Sequence, residues 1–404
     1  MTGSRSKLIL MNIDMKKYIL FLGVLLCMAG VRAQQDGEMR SSKSLFEEVT
    51  NIKKKTDRFN FFLNMNGSFD NQFIEDTHQM SKFNMRQLRI EAKGKINDWL
   101  SYRWRQRLNR PNTGSGNIDN LPTSIDVAGI GVKLTDKFSM FVGKQCAAYG
   151  GVEFDRNPIE IYEYSDMIEN MSNFLTGVNF AYNFNDNHQL QFQVLNSLNN
   201  SFANTYDVGT TGTVQSQAPL VYTLNWNGSF FDNAFKTRWS ASLMNEAKGK
   251  NMYYYALGNE LTQGKFNMFF DFMYSNEELD RNGIMSKITN SSRYGNAVNA
   301  QYLSLVTKLN YRFAPKWNVF LEGMYETASL KNNLMGFSKG KYRTAYGYFA
   351  GLEYYPMESN LHFFLTYVGR AYEYTNRARS LMTTGFDDNT NRLSLGFIYQ
   401  LQMF

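Results

Sequence analysis

From residue 57 to the end of the chain, apolar residues recur at every second position within short segments, and that period belongs to strands, not helices. Leu88, Ile90 and Ala92 alternate with Arg89, Glu91 and Lys93; Leu100, Tyr102 and Trp104 with Ser101, Arg103 and Arg105. Leu190, Phe192 and Val194 alternate with Gln189, Gln191 and Gln193, and Leu393, Leu395, Phe397, Tyr399 and Leu401 with Arg392, Ser394, Gln400 and Gln402. About sixteen such segments are expected, near 58–69, 83–95, 98–108, 123–134, 137–145, 174–184, 188–196, 219–227, 236–246, 251–260, 265–275, 300–313, 316–328, 342–354, 360–372 and 391–404. Their connections alternate in length. Brief ones lie at 96–98, 134–137, 184–187, 313–316 and 355–358; long polar ones are expected at 70–82, 109–122, 146–173, 197–218, 276–299, 329–341 and 373–390, with a brief one near 247–250.

A soluble sandwich has no reason to alternate short and long connections. Short periplasmic turns, long external loops, two-faced strands and aromatic strand ends are the pattern of a transmembrane barrel. The expected fold is therefore all-β, a closed antiparallel transmembrane β-barrel of about sixteen strands over 57–404 in the outer membrane. Closure satisfies every backbone group, which an open sheet in lipid cannot do. A bundle of membrane helices is excluded, because no stretch after residue 33 supplies the roughly 20 apolar residues a span needs. Disorder is excluded by 32 Phe, 25 Tyr and 5 Trp.

The N-terminus reads as an export signal. Met15-Lys16-Lys17 precedes the apolar run Tyr18 to Leu26, and Val31-Arg32-Ala33 offers a small-residue exit with cleavage before Gln34. Residues 1–14 look like an upstream extension, with Met15 the natural start. Residues 34–56 form a periplasmic lead-in, in which Leu45, Val49 and Ile52 have helical spacing. The formal net charge is +7, of which the first 33 residues (Arg5, Lys7, Lys16, Lys17 and Arg32 against Asp14) carry +4. The remaining +3 is too small for a nucleic-acid binder. Cys146 is the only cysteine after residue 33, so no internal disulfide is possible. His78, His188 and His362 sit in no ligand-spaced motif, so neither a metal nor a cofactor is expected. No nucleophile motif surrounds any of them, and an enzyme is not expected.

Sixteen strands enclose a water-filled lumen. Arg103, Arg105 and Arg107 lie on one face of a strand beside Arg89 and Lys93 on its neighbour. Facing lipid, each would cost roughly 2–4 kcal/mol near the midplane, so they must face water. Two readings stand: a solvated wall with no selectivity, or an electropositive strip that concentrates anions. The third external connection is acidic, with Glu153, Asp155, Glu160, Glu163, Asp166 and Glu169 against Arg156. Folded inward, it would narrow the pore and set a transverse field against the basic wall; folded outward, it is an acidic lid.

Three stretches resemble the phosphate-selective porin O and P family, in the style of Bacteroidetes-type outer-membrane porins. They are Asp126–Lys133 with Phe141–Gln145 and Gly150–Glu153, the early basic strand Arg86–Lys95, and the closing strands Leu361–Val368 and Leu395–Tyr399. The resemblance implies a sixteen-stranded homotrimer in outer-membrane lipid that passes small hydrophilic solutes, often anions. Cys146-Ala147-Ala148-Tyr149 departs from the family's Pro-Phe segment, which puts phosphate specificity in doubt. The alternative is a barrel serving as an adhesin or surface receptor.

Overall fold

A computed structural model describes residues 57–112, 117–206, 213–290, 295–333, 337–382 and 386–403. The export signal, the lead-in and the terminal Phe404 lie outside the described residues. Sixteen strands follow in chain order: β1 (Asn60–Ile74), β2 (Thr77–Lys95), β3 (Leu100–Arg107), β4 (Ile125–Lys133), β5 (Phe138–Cys146), β6 (Phe174–Asn185), β7 (His188–Asn196) and β8 (Leu220–Phe230). Then come β9 (Phe235–Ala247), β10 (Lys250–Gln263), β11 (Phe266–Glu277), β12 (Ala300–Ala314), β13 (Trp317–Leu330), β14 (Gly340–Tyr354), β15 (His362–Tyr374) and β16 (Thr390–Gln402). Each pairs antiparallel with the next, and β1 closes the barrel on β16 from Phe62↔Gln402 to Ile74↔Thr390.

The barrel is apolar outside, and inside it carries charged and polar side chains together with an apolar cluster in which Phe320, Met324, Phe349 and Phe364 pack with Ile159, Tyr162 and Ile168 of the 147–173 connection. On β13, Leu321 is 56% exposed, while Glu322 and Glu326 on the other face are 7% and 2% exposed. On β16, Leu395 is 61% exposed against 2% for Ser394. Aromatic side chains gather at the periplasmic strand ends. Trp226 stands edge-on to Trp239, His188 stacks on Trp226, and Trp317 packs on Tyr354. Rings of this kind place an apolar body and a polar tip at the lipid–water boundary.

One connection differs from the sequence expectation. The long loop expected at 70–82 is a tight turn at Glu75-Asp76, and β1 and β2 continue as a ribbon through Phe69↔Phe83, Gln72↔Met80 and Ile74↔Thr77. Beyond the lipid, a strand has water on both faces and needs no apolar alternation, so Thr77–Lys82 keeps its ladder while losing the pattern. The brief turn after Ala247 is as read. Strand length is uneven around the wall. β3, β4 and β5 have 8, 9 and 9 residues, against 15, 14 and 15 for β12, β13 and β14. Nine tilted residues rise roughly 23 Å, about the height of the apolar band.

Candidate functional site: the lumen

The connection at 147–173 leaves β5, runs through the barrel interior and returns beside its start, where Ala147 N donates to Asn173 O (2.9 Å). Gly150 and Gly151 turn it inward with φ of 70° and 82°. Gly151 then lies directly on β10, since a Cβ added at Gly258 would sit 2.7 Å from the Gly151 Cα. Asp271 on β11 accepts the backbone N–H of Val152 (2.7 Å) and of Glu153 (2.7 Å). Farther along, Asn66 on β1 donates to Ile159 O (2.8 Å), so the loop has crossed the lumen. Tyr162 donates to Glu353 on β14 (2.8 Å) and stacks on Phe320, with ring centroids 5.0 Å apart. Glu163 pairs with Arg392 on β16 (2.8 Å). Asp166 bridges Arg343 on β14 and Arg370 on β15, and its N–H donates to Glu326 on β13 (2.6 Å).

Within the loop, Glu153 accepts the N–H and hydroxyl of Ser165, both at 2.8 Å, and this bond ties the descending limb to the returning one. Burial pushes the Glu153 carboxyl well above its ordinary value of 4.5. The folded protein therefore holds this proton more tightly than the unfolded chain does. Its contribution to stability is complete below about pH 4.5 and falls as pH rises toward the folded value. Glu153→Gln keeps the shape and the acceptor. It should flatten that alkaline-side loss while leaving the unfolding temperature at pH 5 within a few degrees of wild type. A pH series of thermal unfolding curves checks this, and equal slopes for the two proteins would refute the protonated Glu153.

The basic strip faces the lumen, but it is partly neutralised. Register shifts by one between Arg105↔Val127 and Gln106↔Ile125, leaving Asp126 as the extra residue of a bulge, which re-aims a side chain. Asp126 sits under three guanidiniums: Arg89 at 3.1 Å, Arg105 at 3.3 Å and Arg107 at 2.9 Å. Glu91 accepts from Arg103 (2.9 Å) and lies 3.7 Å from Lys93. Five bases thus face two acids. The Lys93 and Arg103 side chains remain 44% and 42% exposed and carry the water-facing charge, whereas Arg89 and Arg105 are buried behind them.

The loop acids do not confront this strip as a group. Glu153 is turned into the loop, Glu163 and Asp166 are spent on Arg392, Arg343 and Arg370, and Arg156 pairs with Glu260 (2.6 Å). Asp155 shares a cavity with Arg103, and there it pairs with Arg238 on β9 (2.8 Å). That cavity has a volume of about 290 Å³ between the loop and the β3–β9 wall. A second, of about 400 Å³, lies at the periplasmic side of the loop and is lined by Glu160, Lys308, Arg312, Tyr355 and His362. Among the described residues, no three His, Cys, Asp or Glu side chains cluster as metal ligands.

Sequence reasoning missed the arginines that hold the loop and the acid inside the basic strip. Arg343, Arg370 and Arg392 each occupy an inward position in the two-residue period. That signal gives their direction but not their partners.

A family model described as phosphate-selective porin O and P matches residues 59–401. No curated protein sequence matches the chain. Among solved structures, the outer membrane channel DcaP of Acinetobacter baumannii is similar at 11% identity, over 85% of this chain and 96% of that one, with a TM-score of 0.56. OprB of Pseudomonas putida, in its high-pH structure, is similar at 12% identity, over 85% and 94%, with a TM-score of 0.55. OmpT of Vibrio cholerae, described in a trimer form, matches at 12% identity over 85% and 100%, with a TM-score of 0.51. These likenesses concern the fold.

Proposed function

The chain belongs to the phosphate-selective porin O and P family and is an integral outer-membrane porin; from that premise we propose that small hydrophilic solutes cross it by passive diffusion with a mild preference for anions. The carrying observation is the β2–β3 wall, where Arg89, Lys93, Arg103, Arg105 and Arg107 outnumber Glu91 and Asp126. A confined aqueous passage with low-dielectric walls focuses such an excess and raises the local anion concentration. In this reading the loop from Glu153 to Asp166 is the constriction, and its bonds to β1, β10, β11 and β13–β16 crowd it to one side of the lumen. The protein works as a homotrimer exported by the signal over Met15 to Ala33. The short β3–β5 wall and the trimer form of OmpT support that assembly.

Reversal potential across a planar bilayer under a potassium chloride gradient tests the proposal. Wild type should show the sign of anion preference. The double variant Lys93→Glu and Arg103→Glu reverses two exposed charges and should shift the potential toward cations. A cation-preferring wild type would sink the reading.

A further inference from the structure

The wall that faces the loop across the 290 Å³ cavity has an unusual chemistry for a simple ion path. Gln189, Gln191 and Gln193 follow one another on the inward face of β7, beside Asn225 and Asn227 on β8. Gln191 donates to Gln189 (2.7 Å), Asn225 to Asn227 (2.9 Å) and Asn227 to Gln189 (3.2 Å), so the amides orient one another. Each amide offers two donors and an acceptor with two lone pairs, and at Gln191 and Asn225 these bonds use only part of that capacity; Gln193 is spent, donating to Gln145 and the Cys146 carbonyl and accepting the Ala148 N–H. Arg238 extends the row, donating to Asn227 (3.3 Å). Arg103 stands on another side of the cavity with its Nε held by Glu91 (2.9 Å), which leaves its remaining N–H groups for a solute. Phe141 supplies an apolar surface. Its ring crosses Gly129, where an added Cβ would lie 2.6 Å from Phe141 Cε1, so the glycine is what lets the ring lie against the wall. Phe154 of the loop lines the same space.

We propose that this cavity is a subsite for a polyhydroxylated organic anion, a sugar phosphate or sugar acid, with Arg103 and Arg238 on the anionic group. Gln191 and Asn225 take the hydroxyls, and Phe141 takes the C–H face of the ring. This assignment rests on the porin reading above and names the solute class for it. Guanidinium groups pair with carboxylate or phosphate by charge-assisted hydrogen bonds. Amides and the Asp155 carboxylate accept hydroxyl donors. Inorganic phosphate uses only the first set and a neutral sugar only the second. A molecule carrying both groups gains from both.

The test compares occlusion of the chloride current by glucose 6-phosphate, inorganic phosphate and glucose at matched ionic strength. Glucose 6-phosphate should reach half-block at a concentration roughly tenfold below either of the others. It should also slow modification of the Cys146 thiol, which lines the cavity and is exposed, by a charged thiosulfonate. Gln191→Ala with Asn225→Ala should bring glucose 6-phosphate back to the level of phosphate without moving the reversal potential, and Arg238→Gln should weaken both anions. Equal half-block by glucose 6-phosphate and phosphate in the wild-type porin overturns the subsite, whatever the reversal potential. A zero or cationic reversal potential with the glucose 6-phosphate preference intact overturns the anion reading and supports the subsite.

Discussion

Replacing Asp155–Asp166 by a short Gly-Ser bridge should raise single-channel conductance about two- to fourfold, because a sixteen-stranded wall encloses an open aqueous channel when nothing crosses it. The segment carries the contacts to β1, β10, β14, β15 and β16 through Ile159, Arg156, Tyr162, Asp166 and Glu163. Selectivity should change as well. Four carboxylates and one guanidinium leave with the segment, and Arg343, Arg370 and Arg392 lose their partners in it, so the reversal potential should move toward stronger anion preference. The barrel should still close, since its strand ladder owes nothing to the loop and the bared arginines meet water instead of a dry interior. Folding is read from the mobility change on heating in a detergent gel. Unchanged conductance in a variant that folds would show that the loop does not set the width of the passage.

The two-residue period and the brief turns made the barrel legible, because lipid on one side and water on the other act on every residue of a spanning strand. That rule ends where the lipid ends, and so the β1–β2 ribbon above the membrane has the sequence of a loop. Inside the lumen the period gave direction only. It placed Arg103 and Gln191 toward water, but nothing local says that Arg370 meets Asp166 across the barrel. The bulge at Asp126 was invisible for a different reason. One extra residue alters the alternation only within β4, in a segment already interrupted by Gly129 and Gly131.

Asp126→Asn should be the most damaging single substitution in the wall. The carboxylate is fully buried and serves three guanidiniums, of which Arg89 and Arg105 have side chains only 4% and 9% exposed. Desolvation of these arginines is offset by that one acid, and an amide keeps its shape but not its charge. Removing one partner from a buried charge cluster costs about 3–5 kcal/mol, mostly the penalty of leaving the other charges uncompensated. Asp136 makes a useful contrast. It pairs with Lys133 at 2.6 Å, but its side chain is 95% exposed, and such pairs contribute little. Thermal conversion of the folded band on a gel should therefore shift downward by many degrees for Asp126→Asn and hardly at all for Asp136→Asn. Where the Asp126 variant does fold, its reversal potential should move further toward anions, by the loss of one of the two acids that temper the strip. A variant as stable as wild type would mean that water reaches the three arginines and hydrates them, and the strip would then be an open solvated wall, not a cluster organised around its bulge.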